Sequence, residues 1–255
     1  MGAGHAHALY VHEHSVVHHL PPHVKVVAAF AFVATVASTP RELPVLFALH
    51  ALALAGAIRI ARVPYRFVVA RLAVVTPFLV LALLVPFVAA GERIDVAGLS
   101  LSIDGLWGGF GIAAKALLGA GTSILLVATT EVPQLLRGLE RLRVPPTLTQ
   151  IATFMVRYLE VIAGEFSRQR VAMTARGHDP RWLWQLRPLA SSAGALFVRS
   201  YERGERVHAA MLARGYVGTL PPPPSARDAT ARDWVVAAVL PTLAILSRTI
   251  HRLVA

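Results

Sequence analysis

The chain has 255 residues, 55% hydrophobic and only 15% charged, with a mean hydropathy of +0.58. A soluble domain carries about 25% charged residues, so this balance points to lipid and argues against a disordered chain or a single water-soluble enzyme domain. Cysteine is absent, which excludes disulfide frameworks, thiol catalysis and cysteine-based zinc sites. The formal charge of +11 would suggest nucleic acid in a soluble protein, so the positions of the basic residues decide the partner.

The first 25 residues hold seven histidines, His5, His7, His12, His14, His18, His19 and His23. No apolar core with a cleavage site accompanies them, so no signal peptide is expected. His14/His18 and His19/His23 have the i,i+4 spacing that can chelate a divalent ion on a helix. Glu13 is their one acidic neighbour, and the segment is expected to be a biased cytoplasmic tail without a metal site.

Residues 26–39 and 43–58 form two short apolar stretches parted by Thr39-Pro40-Arg41-Glu42. They predict a helical hairpin that falls short of the full hydrocarbon depth. His50 lies inside the second stretch without an acidic partner, and is expected to be neutral and bonded to a neighbouring helix. Residues 72–90 run nineteen positions without a charge, close to the ~20 apolar residues that a spanning helix needs. Residues 105–130 predict a second clear span, with Lys115 near its middle expected to contact another subunit. Gly105, Gly109 and Ala113 offer that span a close-packing face. A last apolar stretch, 234–247, spans if Arg248 and Arg252 snorkel to the far interface. The expectation is about five spans.

Arg59, Arg62, Arg66 and Arg71 crowd the connection before the 72–90 span, whereas 91–104 carries Glu92, Asp95 and Asp104 against Arg93 alone. By the positive-inside rule the first connection is cytoplasmic and the second external. The N-terminus and everything after Thr130 then lie inside. Residues 131–232 hold fifteen arginines and eight acids with no run long enough to span. They predict a cytoplasmic domain against an anionic leaflet, and the interleaved acids argue against nucleic acid.

Within it, Leu148, Ile151, Met155, Leu159, Ile162, Phe166 and Met173 are spaced as one stripe of a helix over 147–176. Pro145-Pro146 sets its start, and Gly177 with Asp179-Pro180 its stop. A second helix is predicted over 188–214, with Leu189, Ala193, Leu196, Val207 and Met211 on its face and Glu202–Arg206 as an i,i+4 pair. A shorter helix, 132–143, precedes both. Gly218 to Pro224, with four consecutive prolines, reads as a stiff linker to the last span. The expected domains are 1–25, 26–130 in the membrane, 131–217 as the cytoplasmic domain, 218–231 as linker and 232–255 as the last span.

Both long helices end in nearly the same hexapeptide. Ala172-Met173-Thr174-Ala175-Arg176-Gly177 and Ala210-Met211-Leu212-Ala213-Arg214-Gly215 agree at five of six positions, 38 residues apart. A helix C-terminus alone accounts for Arg-Gly, since arginine suits the negative dipole end and glycine the left-handed position after it. It does not account for the shared Ala-Met and Ala. The alternative is a pair of equivalent plugs, in which the small alanine admits a partner and the guanidinium forks into its acceptors.

These motifs resemble those of the transmembrane T component of energy-coupling-factor transporters, and most closely the cobalt-type CbiQ family. The resemblance rests on Leu125-Leu126 with Thr129-Thr130, Leu135-Leu136-Arg137-Gly138-Leu139, Leu142-Arg143-Val144-Pro145, Arg157-Tyr158, Glu165 and both Ala-Arg-Gly ends. His19-Leu20-Pro21-Pro22-His23-Val24-Lys25 matches more loosely. It implies an all-α integral membrane protein with a coupling domain of long amphipathic helices. It further implies a non-catalytic subunit without a cofactor of its own, in a cell-membrane importer. Its implied partners are two nucleotide-binding ATPase subunits and a substrate-binding S component, with a small accessory membrane subunit as a further candidate. By resemblance, Ala175-Arg176-Gly177 and Ala213-Arg214-Gly215 are the ATPase contacts, one per subunit. No Gly-Lys-Ser/Thr phosphate loop occurs in the chain. The implied cargo is cobalt. Nickel, a vitamin, or a non-transporting membrane scaffold are the alternatives.

Overall fold

A computed structural model describes residues 10–96, 99–178, 187–218 and 228–254. His5, His7, Asp179-Pro180 and the proline run Pro221 to Pro224 lie outside them. The chain forms two compact units, one from Leu9–Gly138 with Arg227–Ala255 and one that includes Leu139–Ala226.

The first unit begins with a single helical turn, α1 (Val16–His19), capped by Ser15, whose Oγ accepts the His18 N–H at 3.3 Å. Two short helices follow, α2 (Pro22–Ala37) and α3 (Pro44–Ile60), each with proline in its first turn, where its missing N–H is no loss. At 1.5 Å per residue they are about 24–26 Å long, short of the ~30 Å hydrocarbon core. α4 (Tyr65–Leu72), a 3-10 turn (Ala73–Val75) and α5 (Thr76–Val88) run on as one rod. After a hairpin of β1 (Arg93–Val96) and β2 (Leu99–Ser102) comes α6 (Ile103–Thr129).

Two helices among the described residues are long and apolar enough to cross a membrane, Tyr65–Val88 and Ile103–Thr129. The first begins seven residues before the uncharged run that signals it, because helix accommodates Arg66 and Arg71 where lipid does not. Arg71 answers by laying its guanidinium 3.4 Å over the Phe67 ring, a cation–π contact. The last helix, α10 (Ala231–Val254), contains Pro241 and has charged residues towards both ends. The outward faces of the first rod stay bare: Phe78, Leu83 and Val88 are 56%, 70% and 82% exposed. An apolar belt of that extent is a surface for hydrocarbon.

Lys115 has a partner inside the chain that the sequence did not show. Its Nζ donates to the Ala37 carbonyl at 2.8 Å. α2 ends beside the middle of α6, and its last carbonyls lack partners within the helix, so Lys115 supplies a donor. His50 follows the sequence reading. It is 1% exposed, with Nε2 3.5 Å from the Ala244 carbonyl oxygen of α10 and Phe32 and Phe47 edge-on around it.

The hairpin is a finding where only a loop was expected. Its register runs from Arg93↔Ser102 to Val96↔Leu99. Ser102 closes it by accepting the Gly105 N–H at 3.2 Å and donating to the Ala90 carbonyl at 3.3 Å. Two four-residue strands give little periodic signal.

α5 and α6 are pressed together through the glycine face. A Cβ on Gly105 would lie 2.6 Å from the Pro86 Cα, and one on Gly109 2.3 Å from the Ala82 carbonyl oxygen, whereas one on Gly119 meets nothing within 4 Å. Gly109→Leu should therefore lower the thermal unfolding midpoint in detergent, with an overpacking cost of at least about 1–3 kcal/mol. Gly119→Ala on the same helix should hold or raise it, by up to ~1 kcal/mol.

Candidate coupling site at two helix ends

The second unit is built on α8 (Pro146–Ala175) and α9 (Arg187–Ala213), which follow α7 (Val132–Arg141). Both long helices close in the same hydrogen-bonded turn. At the end of α8, Gly177 has φ +78, the His178 N–H donates to the Met173 carbonyl at 3.0 Å, and the Gly177 N–H to that of Thr174 at 2.9 Å. At the end of α9, Gly215 has φ +82, and Tyr216 and Gly215 donate to Met211 and Leu212, each at 3.0 Å. This paired 6→1 and 5→2 pattern is a Schellman cap, and its left-handed position favours glycine. The repeated hexapeptide thus encodes a repeated turn.

The turn also accounts for the repeated methionines. Met173 and Met211 are half-buried, Met173 with its Sδ 3.8 Å from the Ser192 Oγ of α9, Met211 in the groove between the helices. It leaves Ala175, Arg176, Ala213 and Arg214 over. All four are exposed, and among the described residues neither guanidinium has a hydrogen bond or ion pair.

The helices are antiparallel, which separates the two ends. The Tyr216 hydroxyl, just beyond Arg214, donates to Gln150 Oε1 at 2.7 Å, near the start of α8. Met173, just before Arg176, meets Ser192 near the start of α9. From Gln150 to Arg176 the axis of α8 advances about 39 Å. Between these ties Arg203 donates to Glu165, in a pair whose side chains are 31% and 17% exposed.

The groove between α8 and α9 is lined by Phe154, Tyr158 and Ile162 from α8. The stripe read from the sequence marks the helix but supplies only part of this contact. Leu148, Ile151, Met155 and Leu159 are 58%, 53%, 67% and 60% exposed, so the first half of that stripe faces away from α9. Apolar residues occupy a wide arc of α8, and the aromatic side of the arc takes the contact. Glu202 and Arg206 do pair, at 3.8 Å, but both are exposed and such a pair contributes little.

Sequence reasoning gave no contact to Gln150, Arg203 or Tyr216. It read Arg62 for its charge and Arg143 for its motif, and both have positive φ, +57 and +64. Each closes a helix in the same cap that glycine closes elsewhere: Val63 donates to Ile58 and Val144 to Leu139, both at 3.2 Å. The signal was present as a twice-used Arg-Val-Pro, Arg62-Val63-Pro64 and Arg143-Val144-Pro145, since proline often follows a helix cap.

The histidine pairs do not form on one helix. α1 is four residues long, and Leu20-Pro21 breaks the chain before α2. His18 instead contacts the Ser15 Oγ at 2.7 Å and the Val11 carbonyl at 3.0 Å, while His19 contacts the Ser15 carbonyl at 2.8 Å. Burial holds the His18 pKa below the ordinary histidine value.

The hydrogen bond from Arg203 holds the Glu165 carboxyl below the usual glutamate range. A depressed carboxylate contributes its full stabilisation above the unfolded pKa of about 4.3 and loses it as pH falls through the lower folded value. Spin labels on α8 and α9, at Ala172 and Ala195, should therefore give a distance distribution that is narrow at neutral pH and broadens on acidification below that range. Glu165→Gln should broaden it at neutral pH and remove the pH dependence.

Comparison with known proteins places these motifs in a family. The sequence profile of the cobalt transport protein family CbiQ matches residues 13–224. The chain is 30% identical over 223 residues to the energy-coupling factor transporter transmembrane protein EcfT of Bacillus selenitireducens, covering 82% of each. It is 31% identical over 161 residues to the cobalt transport protein CbiQ of Rhodobacter capsulatus, covering 63% of this chain and 64% of that one. A second EcfT, from Listeria innocua, is 25% identical over 82% of this chain and 83% of its own length. With the two membrane-capable helices, these matches make the chain a membrane protein of the CbiQ family of cobalt transport proteins.

Proposed function

We propose that this chain is the transmembrane coupling subunit of an ATP-driven importer of the energy-coupling-factor type, and that cobalt is its cargo. The observation that carries this reading is the pair of exposed Ala-Arg-Gly ends. They have the same backbone geometry and sit at opposite ends of one antiparallel pair, and their guanidinium groups have no hydrogen bond or ion pair among the described residues. Two equivalent ends tens of ångströms apart suit two copies of one partner, and an ATPase dimer is such a partner. The family description and the Rhodobacter relative name cobalt, which supports that ion over nickel or a vitamin.

In this reading α2, α3, the Tyr65–Val88 rod, α6 and α10 are the five membrane passes. The arginines of 59–71 and the acidic residues of 91–104 orient them with the coupling helices in the cytoplasm. The ATPases alternately close and open, each carrying one helix end, and α8 and α9 move as levers. The Gln150–Tyr216 and Glu165–Arg203 ties make the pair stiff enough to pass that motion on. The lever ends act on a membrane S component that holds the cargo. The chain itself is not catalytic. It binds ATPase and transmits.

Arg176→Glu and Arg214→Glu should each weaken retention of the ATPase in detergent pull-downs, and the double change should abolish it. Losing one partner of a buried charge contact costs about 2–5 kcal/mol, and reversal adds repulsion. The dipole contribution of a helix-end arginine to the fold is only about 0.3–1 kcal/mol, so membrane level and helicity should be unchanged. Normal copurification of both variants would leave the repeat as two helix caps.

A further inference from the structure

The first unit contains a chamber of about 320 Å³ between α2, α3, α6 and α10. Its walls are almost wholly aliphatic, and the few polar groups among them are already engaged. Thr122 and Thr129 donate to carbonyls of their own helix, Leu118 at 2.7 Å and Leu125 at 2.9 Å. Lys25 donates to Thr129, Thr130 and His18. Nothing in the chamber is left to recognise a polar ligand, so it suits a hydrocarbon chain.

One rim of the chamber is shared with a second recess. Val16, Leu20, Ile60 and Val236 line both. The recess beyond that rim is basic, lined by Arg62, Arg232, His14 and His19, with Asp233 as its one carboxylate. Asp233 is taken up by a capping box, its Oδ2 accepting the Thr230 N–H at 2.9 Å and the Thr230 hydroxyl at 2.7 Å. An apolar slot that opens into a basic mouth has the polarity of one anionic amphiphile.

Arg62 supplies an independent observation. It holds φ +57 at a helix-cap position where glycine is the unstrained choice. Glycine would close α3 equally well but would bring no guanidinium to the mouth. Strain kept at such a place is a mark of use.

We infer that this seat binds an anionic phospholipid, with an acyl chain in the chamber and the phosphate between Arg62 and Arg232. Basic pockets between membrane helices are suited to such headgroups. The inference rests on the coupling-subunit reading only for the leaflet that the mouth faces, which is the cytoplasmic one.

Native mass spectrometry of the full chain in detergent tests it, with phosphatidylglycerol and phosphatidylcholine of identical acyl chains as probes. The unaltered chain should retain phosphatidylglycerol roughly tenfold better. Arg62→Gly with Arg232→Gln should bring the ratio to about one, while the thermal midpoint holds or rises because the strained turn is relieved. Gly56→Leu should reduce retention of both lipids, since a Cβ there meets nothing within 4 Å and the side chain fills the chamber. Equal retention of the two lipids by the unaltered chain would overturn the inference. So would selectivity that survives the double change, or glycerol 3-phosphate binding as tightly as the lipid. The ATPase pull-down on the double variant should be normal, so the lipid seat and the coupling reading fail separately.

Discussion

Lys25 is 6% exposed, and its ammonium lies at a point where three pieces of chain must be held together. It donates to the Thr129 carbonyl at 2.7 Å, the Thr130 hydroxyl at 3.2 Å and the His18 carbonyl at 3.2 Å. A lysine has three donors and no acceptor, so these three acceptors satisfy it completely. The end of α6 is where such a charge belongs, because the last carbonyls of a helix lack partners and carry its negative end. The N-terminal segment, the start of α2 and the end of α6 are thereby fixed to one another. The apolar residues around them supply the bulk of the burial, but a greasy interface alone would allow sliding. Directional bonds to a single buried cation set the register.

The same logic recurs at other helix ends. Lys115 serves the end of α2, and the Schellman turns of α3, α7, α8 and α9 recover carbonyls from within the chain. Two of those turns use glycine and two use arginine. The glycine ends lie on exposed tips of the antiparallel pair, where the residue before glycine is itself an arginine free to meet a partner. The arginine caps place a guanidinium at the turn itself. One backbone device therefore presents positive charge in two different ways.

The two long membrane-capable helices were legible because each contains a run of more than eighteen residues with at most one charge, which few alternatives explain. The flanking helices were legible in position, though α2 and α3 are shorter, and α10 more charged, than a helix marked as membrane-crossing by length and composition. The hexapeptide repeat was legible as a repeat, and its glycines as caps. That the ends lie far apart was not, because it depends on Tyr216 meeting Gln150, 66 positions away in sequence. The side of α8 that faces α9 was not legible, since Leu148 to Leu159 keep a helical period as regular as that of Phe154, Tyr158 and Ile162. Periodicity finds a helix but does not choose between two apolar stripes. The partner of Lys115 was missed for a related reason: nothing in the local sequence shows that α2 ends against the middle of α6.

Docking of one ATPase subunit at each Ala-Arg-Gly end is directly measurable, because the sequence contains no cysteine. Single cysteines at Ala175 and at Ala213, treated with a short bifunctional thiol cross-linker in the assembled transporter, report what lies against each end. Each position should capture one ATPase subunit, the pair together two, and a cysteine at exposed Tyr201, away from both ends, none. If neither end yields an ATPase adduct while the complex is intact, the ends are not the docking points.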